Sequence, residues 1–267
     1  MSLFVVSTPI GNLGDITLRA IETLKNVDII ACEDTRITKV LCEKYDIKTR
    51  LISYHKYSEN ARLDLFLGYL KEGKNIALVS DAGTPTISDP GAILVKAVAQ
   101  AGYKVVPIVG ASAAMALLAA VPRESEEFHF IGFLPRQKTK IQEIALECDV
   151  NTVFYESPKR LLSTLEAVAD VTPEIKIAIG RELTKKFEEI VLGTPKELVE
   201  HYKNATLKGE IVGMLYATPV QNDRVDTLKK IQKLKKLNLP DKQISSILHE
   251  LYGLNKNETY KLATGRD

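Results

Sequence analysis

Short apolar runs alternate with amphipathic segments along the first hundred residues, and small or turn-forming residues close most of them. "LFVV" (3–6), "DIIAC" (28–32), "RLISY" (50–54), "NIALVS" (75–80) and "KVVPIV" (104–109) read as strands. Between them lie helical patterns. One starts at Thr17 with Leu18, Ile21 and Leu24 on one side, and another starts at Thr35. "ENARLDLFLGYLKEG" stops at Gly73 and "AILVKAVAQAG" at Gly102, with "ASAAMALLAAV" after the fifth strand. Strand–helix alternation with short connections predicts a mostly parallel sheet covered on both faces.

A second alternating unit begins near "FHFIGFLP" (128–135), followed by a helix at 138–147, the strand "TVFY" (152–155) and a helix from Pro158. Further strands are expected at 175–180, 187–193 and 209–216, with spacings that suggest a mixed sheet. After about residue 220 only helical periodicity remains: Val225, Leu228, Ile231 and Leu234; then Ile244, Ile247, Leu248 and Leu251, ended by Gly253; then Tyr260 and Leu262. The fold class is α/β. The expected domains are an α/β domain at 1–115, a second with a mixed sheet at 116–220, and a helical tail at 221–267.

In parallel α/β sheets, ligands bind outside the carboxyl ends of the strands. Four of the five first strands carry unusual residues there: "STPIGNLGD", "CEDTR", "SDAGTPTISDP" and "VGASA". With its closing glycine the third is twelve residues long, 80–91, where two to six normally suffice. That length suggests a wall of a ligand cleft, since glycines admit a close ligand and helix starts offer N–H groups. No Gly-x-Gly-x-x-Gly follows the first strand and no Gly-Lys-Ser/Thr occurs, which argues against a dinucleotide or ATP enzyme.

Composition narrows the choice. With 45% hydrophobic and 26% charged residues the chain is ordinary for a soluble protein, and no apolar run reaches the length of a membrane span. The amino terminus reads as a strand, so a cytoplasmic location is expected. Cys32, Cys42 and Cys148 show no Cys-x-x-Cys spacing and read as reduced thiols. No two histidines have metal-ligand spacing, so no metal is expected; His129, His201 and His249 read as packing or surface residues, and His55 follows the third strand. The net charge is only +2, but Arg224–Asp267 holds ten Lys/Arg against five Asp/Glu, about +5, and "RQKTK" (136–140) is a second basic cluster.

"STPIGNLGDITLRA", "CEDTR", "SDAGTPTISDPG", "GFLPR", "FYESPKR" and "RELTKKFEE" together resemble the ribosomal RNA small subunit methyltransferase I family, a branch of the tetrapyrrole (corrin/porphyrin) methylases. The resemblance runs from about residue 3 to 216 and extends to the tail. It implies two α/β domains with S-adenosylmethionine in the cleft between them, a homodimer, and 2′-O-methylation of a cytidine in the decoding region of 16S rRNA. Carried over, the cofactor site comprises Pro9, Ala82, Gly83, Thr84, Pro85, Ile87, Ser112, Ala113 and Tyr155. Three stretches depart from the family pattern: "VGASA" lacks both prolines, "ESPKR" has Lys159 where histidine is common, and "YHKYSEN" keeps only the first histidine.

In-line methyl transfer leans on positioning more than on acid–base chemistry. Candidate bases for the hydroxyl proton are Asp34, Asp81, Glu156 and, with a lowered pKa, Lys185. Each carboxylate has a structural alternative, since Asp34 or Asp89 could cap a helix. Arg36, Lys56, Arg160, Arg181 and Lys185 are the candidates for gripping RNA phosphates, although Arg181 could instead pair with Glu182. Rival readings are a small-molecule tetrapyrrole methylase, disfavoured by the first loop and the basic tail, and a non-catalytic nucleotide-binding module.

Overall fold

The computed structural model describes residues 1–55, 59–217, 223–237 and 239–264, without the side chains of 223–226 and 229. The chain divides into two units, Met1–Ala217 and Thr218–Asp267.

The first unit opens with β1 (Ser2–Val6), α1 (Leu18–Asn26), β2 (Ile29–Cys32), α2 (Thr35–Lys44) and β3 (Arg50–Ser53). It continues with α3 (Glu59–Lys71), β4 (Ile76–Val79), α4 (Ala92–Gln100), β5 (Lys104–Ile108) and α5 (Ala113–Ala120). The five strands form one parallel sheet in the order β3-β2-β4-β1-β5. Successive side chains on a strand point to opposite faces. Ile30 and Cys32 therefore pack with Leu24 of α1 and Leu41 of α2. Ile29 and Ala31 pack with Phe66 and Leu70 of α3 and with Leu94 of α4. β2 and β4 are buried along their whole length, which is why both read as unbroken apolar runs.

The second half holds β6 (Phe128–Phe133), α6 (Lys138–Leu146), β7 (Asn151–Glu156), α7 (Pro158–Ala169), β8 (Ile177–Arg181), β9 (Glu189–Gly193), α8 (Pro195–Tyr202) and β10 (Ile211–Leu215). Its sheet runs β6-β7-β10-β8-β9, with only β6 and β7 parallel. Phe154, Ile177, Ile179 and Leu215 pack beneath α6, α7 and α8. The opposite face receives α5, whose Leu117 and Leu118 meet Val153, Ala178 and Met214. The helix after the first sheet thus covers the second, and the 115/116 boundary expected from the sequence falls inside it.

Two details of the sequence reading change. Leu18 is 80% exposed, and Ala20 and Leu24 form the buried side of α1 instead. α8 had no counterpart in the sequence reading, although Thr194–Glu197 is a complete capping box behind a proline at the helix start.

The second unit contains α9 (Asp223–Lys235), α10 (Asp241–Tyr252) and α11 (Lys256–Thr264) around Ile231, Ile244, Leu248 and Ala263. Val225 falls outside the described side chains, and Leu251 is 69% exposed rather than part of this core. Gly253 ends α10 in a left-handed conformation with φ 66°. Among the described residues no helix is long and apolar enough to cross a membrane.

Candidate functional site

The loops leaving β1, β4 and β5 are tied to one another. Thr8 and Gly83 exchange backbone hydrogen bonds of 2.8 and 3.1 Å. The Thr8 hydroxyl donates to the Ser80 carbonyl at 3.2 Å, and the Thr84 hydroxyl lies 2.9 Å from that of Ser7 and donates to the Ala111 carbonyl at 3.2 Å. Glu59, buried on α3, fixes the far end of the long loop: its Oε1 accepts the Gly91 N–H at 2.8 Å and the Tyr54 hydroxyl at 3.2 Å. Between these anchors Thr86 and Ser88 hold φ of 73° and 69°, left-handed values that cost about 1–3 kcal/mol each. A twelve-residue loop is needed because it forms a shaped wall, pinned at both ends, rather than a turn.

That wall faces loops of the second sheet across a cleft of about 450 Å³. Seven of the nine sequence-assigned cofactor residues line it: Ala82, Gly83, Thr84, Ile87, Ser112, Ala113 and Tyr155. The other two do not. Pro85 is buried within the loop, and Pro9 lines a neighbouring cavity although Ile10 beside it lines the cleft. Ile10, Phe133 and Leu183 add apolar wall, and Tyr155 packs edge-on against Phe130 and Phe133 with ring centroids 5.0 and 5.6 Å away. Ser112, at the start of α5, makes no side-chain cap; the Tyr155 hydroxyl takes the first-turn Ala114 N–H and hydrogen-bonds Ser112 instead.

Among the described residues the charge lining the cleft has one sign: Glu33, Asp81, Asp89, Glu156 and Glu210 line it, with no lysine, arginine or histidine. Burial pushes Asp89 up to about 6, and the charges of Glu33, Asp81 and Glu210 add to that, against a hydrogen bond from Ser80. Burial likewise raises Glu33, helped by Asp81. Asp81 is raised by burial, partly offset by the Asp34 N–H that its Oδ1 accepts at 2.9 Å. A cleft of this kind is suited to a ligand that carries positive charge beside an apolar body.

The four candidate bases separate cleanly. Asp34 caps α2 by accepting the Arg36 N–H at 2.8 Å, and the Arg36 guanidinium, 2.6 Å away, holds it down to about 2. Glu156 is saturated: Ser157 N–H at 2.7 Å on one oxygen, the Thr164 hydroxyl at 2.7 Å and Arg160 at 3.1 Å on the other. Lys185 contradicts the expected lowering. Burial acts to lower its pKa, but contacts of 2.7 Å to Glu182 and 2.9 Å to Glu210 outweigh that and raise it. Asp81 alone combines a cleft position, raised basicity and an oxygen, Oδ2, outside the hydrogen bond to Asp34.

The arginines divide as well. Arg36 is 89% exposed. Arg160 donates to the Leu134 and Pro135 carbonyls at 3.1 and 2.6 Å besides its pair with Glu156, so it ties β6 to α7 rather than standing free for phosphate. Arg181 pairs with Glu189 at 3.0 Å and not with Glu182, because its neighbour on the antiparallel ladder is β9. Lys56 lies outside the described residues.

Sequence reading missed Ile10, Glu33, Phe133, Leu183, Gly209 and Glu210, and treated Asp89 as a cap. The cap of α4 is Gly91, with no side-chain hydrogen bond, which leaves Asp89 facing the cleft. Glu33 and Asp89 sit inside stretches already singled out and were findable. Glu210 was not, since only the pairing of Ile211 with Arg181 brings it there.

The model for tetrapyrrole (corrin/porphyrin) methylases matches residues 2–199. A Bacillus subtilis protein named ribosomal RNA small subunit methyltransferase I is 47% identical over 227 residues, covering 84% of this chain and 77% of its own length. The Neisseria meningitidis serogroup B protein of the same name is 40% identical over 271 residues, covering 98% and 92%. Among solved structures, a Thermus thermophilus uroporphyrin-III C-methyltransferase complexed with S-adenosylhomocysteine superposes with a TM-score of 0.58 at 15% identity, over 80% of this chain and 97% of that one.

Proposed function

This chain belongs to the tetrapyrrole (corrin/porphyrin) methylase family, and from that premise we propose that it is an S-adenosylmethionine-dependent methyltransferase acting on small-subunit ribosomal RNA, at the ribose 2′-hydroxyl of a cytidine in the decoding region. The observation that carries this reading is the acid-walled cleft built from the loops of both sheets. The relatives that align along nearly the whole chain are named for RNA methylation, which favours RNA over a tetrapyrrole acceptor. We further propose that the enzyme works in the cytoplasm as a homodimer on the small ribosomal subunit.

When bound, S-adenosylmethionine supplies an electrophilic methyl carbon on a sulfonium. The residues present fit such a molecule: a cleft of about 450 Å³ is within the range for ligands of that size. Ile10, Ile87, Leu183 and Tyr155 would enclose its flat apolar part and exclude water. Glu33 and Asp89 would stand against positive charge. Asp81 would take the proton from the ribose hydroxyl through Oδ2, while the Asp34 N–H holds its other oxygen. Such a base contributes about 10²–10⁴-fold, less than the roughly 7–11 kcal/mol available from alignment alone.

The test is transfer of labelled methyl to small ribosomal subunits that lack the modification, followed by nuclease digestion. Label is expected in a 2′-O-methylated cytidine. Label on a uroporphyrin-like acceptor, with none in RNA, would overturn the assignment.

A further inference from the structure

A second cavity, of about 530 Å³, lies on the other side of Asp81. The loop after β1 gives it Pro9 and Leu13, α2 gives Arg36, Ile37 and Val40, and Asp81 itself belongs to both cavities. Its walls are largely aliphatic. Ile37 and Val40, three residues apart and so on one side of α2, are 48% and 56% exposed. Arg36 stands at the rim, committing Nε and Nη2 to Asp34 and leaving Nη1 outside that fork.

We propose that this cavity is the acceptor subsite, which receives one unstacked nucleotide of the RNA, base against Pro9, Leu13, Ile37 and Val40, phosphate at Arg36, and ribose at Asp81. The inference rests on the RNA-methylating reading above and deepens it. The chemistry of the cavity matches the three parts of a nucleotide. A base pulled from its stack needs an apolar slot, because it gives up stacking energy of a few kcal/mol per step. The phosphate needs an exposed cation, and an arginine fork offers directed donors for its oxygens. The sugar must sit where donor cleft and base meet, and the one carboxylate shared by the two cavities is the base assigned above. A second copy of the chain could cover Ile37 and Val40, but an aliphatic interface has no use for a shared carboxylate at its inner end.

Exposed Ile37 and Val40 can be changed without opening the core, so Ile37→Glu and Val40→Glu are the informative variants. Leu192→Glu, on β9 and 45% exposed, controls for added negative charge. With small subunits lacking the modification as acceptor, the two α2 variants should raise KM for the subunit at least tenfold. Their donor Kd by calorimetry should stay within twofold of the parent, and Leu192→Glu should leave KM within twofold. Arg36→Gln should also raise KM, with partial recovery in Arg36→Lys. Unchanged KM in both α2 variants would overturn the subsite, as would lost activity accompanied by a change in oligomeric state, which would make the groove an interface between copies. If the parent protein methylates no subunit at all, the functional reading falls and this inference with it; the unmodified chain alone decides that outcome.

Discussion

At the scale of single residues, the chemistry turns on carboxylates whose environments push them apart. Asp34 and Asp81 are joined by one hydrogen bond of 2.9 Å, yet the first is held down to about 2 by Arg36 and the second is raised by burial. A proton acceptor must be basic enough to take the proton, so Asp81→Asn should lower kcat by about 10²–10⁴-fold. Donor affinity should change little, which single-turnover kinetics and calorimetry together would show. Asp89 makes a pH prediction. Below about 6 it is protonated and offers a cation nothing; above about 6 its charge is present. Donor affinity should therefore rise between pH 5 and 7, and Asp89→Asn should flatten that rise. The linkage to folding has the opposite sign. A carboxyl raised in the folded state binds its proton more tightly there, so ionising Asp89 removes stability as pH climbs from about 4 to about 6. Bound donor should offset that loss, and thermal melts with and without it across this range would check the sign.

At the scale of elements, legibility followed the physics of each segment. β2 and β4 were readable because a strand buried on both faces is an unbroken apolar run. Gly73 and Gly102 marked their helix ends because left-handed residues, φ 89° and 79°, close a helix well. α8 was hidden among polar residues, its signals being the proline at the helix start and the reciprocal cap. Glu197 accepts the Thr194 N–H at 2.7 Å and its hydroxyl at 2.9 Å. Thr194→Ala should cost about 1 kcal/mol and lower Tm by about 2–4 °C, without changing donor affinity. Within the site, the wall formed by the long loop was legible because its glycines and prolines are local. Glu210 and Gly209 were not, because a residue before β10 reaches the cleft only through long-range antiparallel pairing. Pro9 lies on the neighbouring cavity while Ile10 lines the cleft, a split at the Thr8–Gly83 bridge that no local pattern announces.

At the scale of the molecule, charge is distributed by task. Among the described residues the cleft is lined by acids without a basic side chain, whereas Arg224–Asp267 carries an excess of about five positive charges. An acid-lined cleft favours a cationic cofactor and gives nothing to a polyanion. Affinity for RNA must then come from cations elsewhere, and the helical unit is the densest source of them. Lys233, Lys236 and Lys242 are exposed there and form no ion pair among the described residues. Every phosphate of a single strand that is no longer neutralised by a lysine reduces the salt slope of log K by about 0.7. Replacing all three lysines by glutamine should therefore lower that slope by up to about 2 and weaken binding to the small subunit most at low salt. Donor affinity, set inside the cleft, should be untouched. Filter binding across a salt series, set beside calorimetry with S-adenosylmethionine, separates the two effects. An unchanged slope would mean that the basic excess of the tail is a solvated helix surface, and that the cations gripping phosphate lie wholly on the first unit.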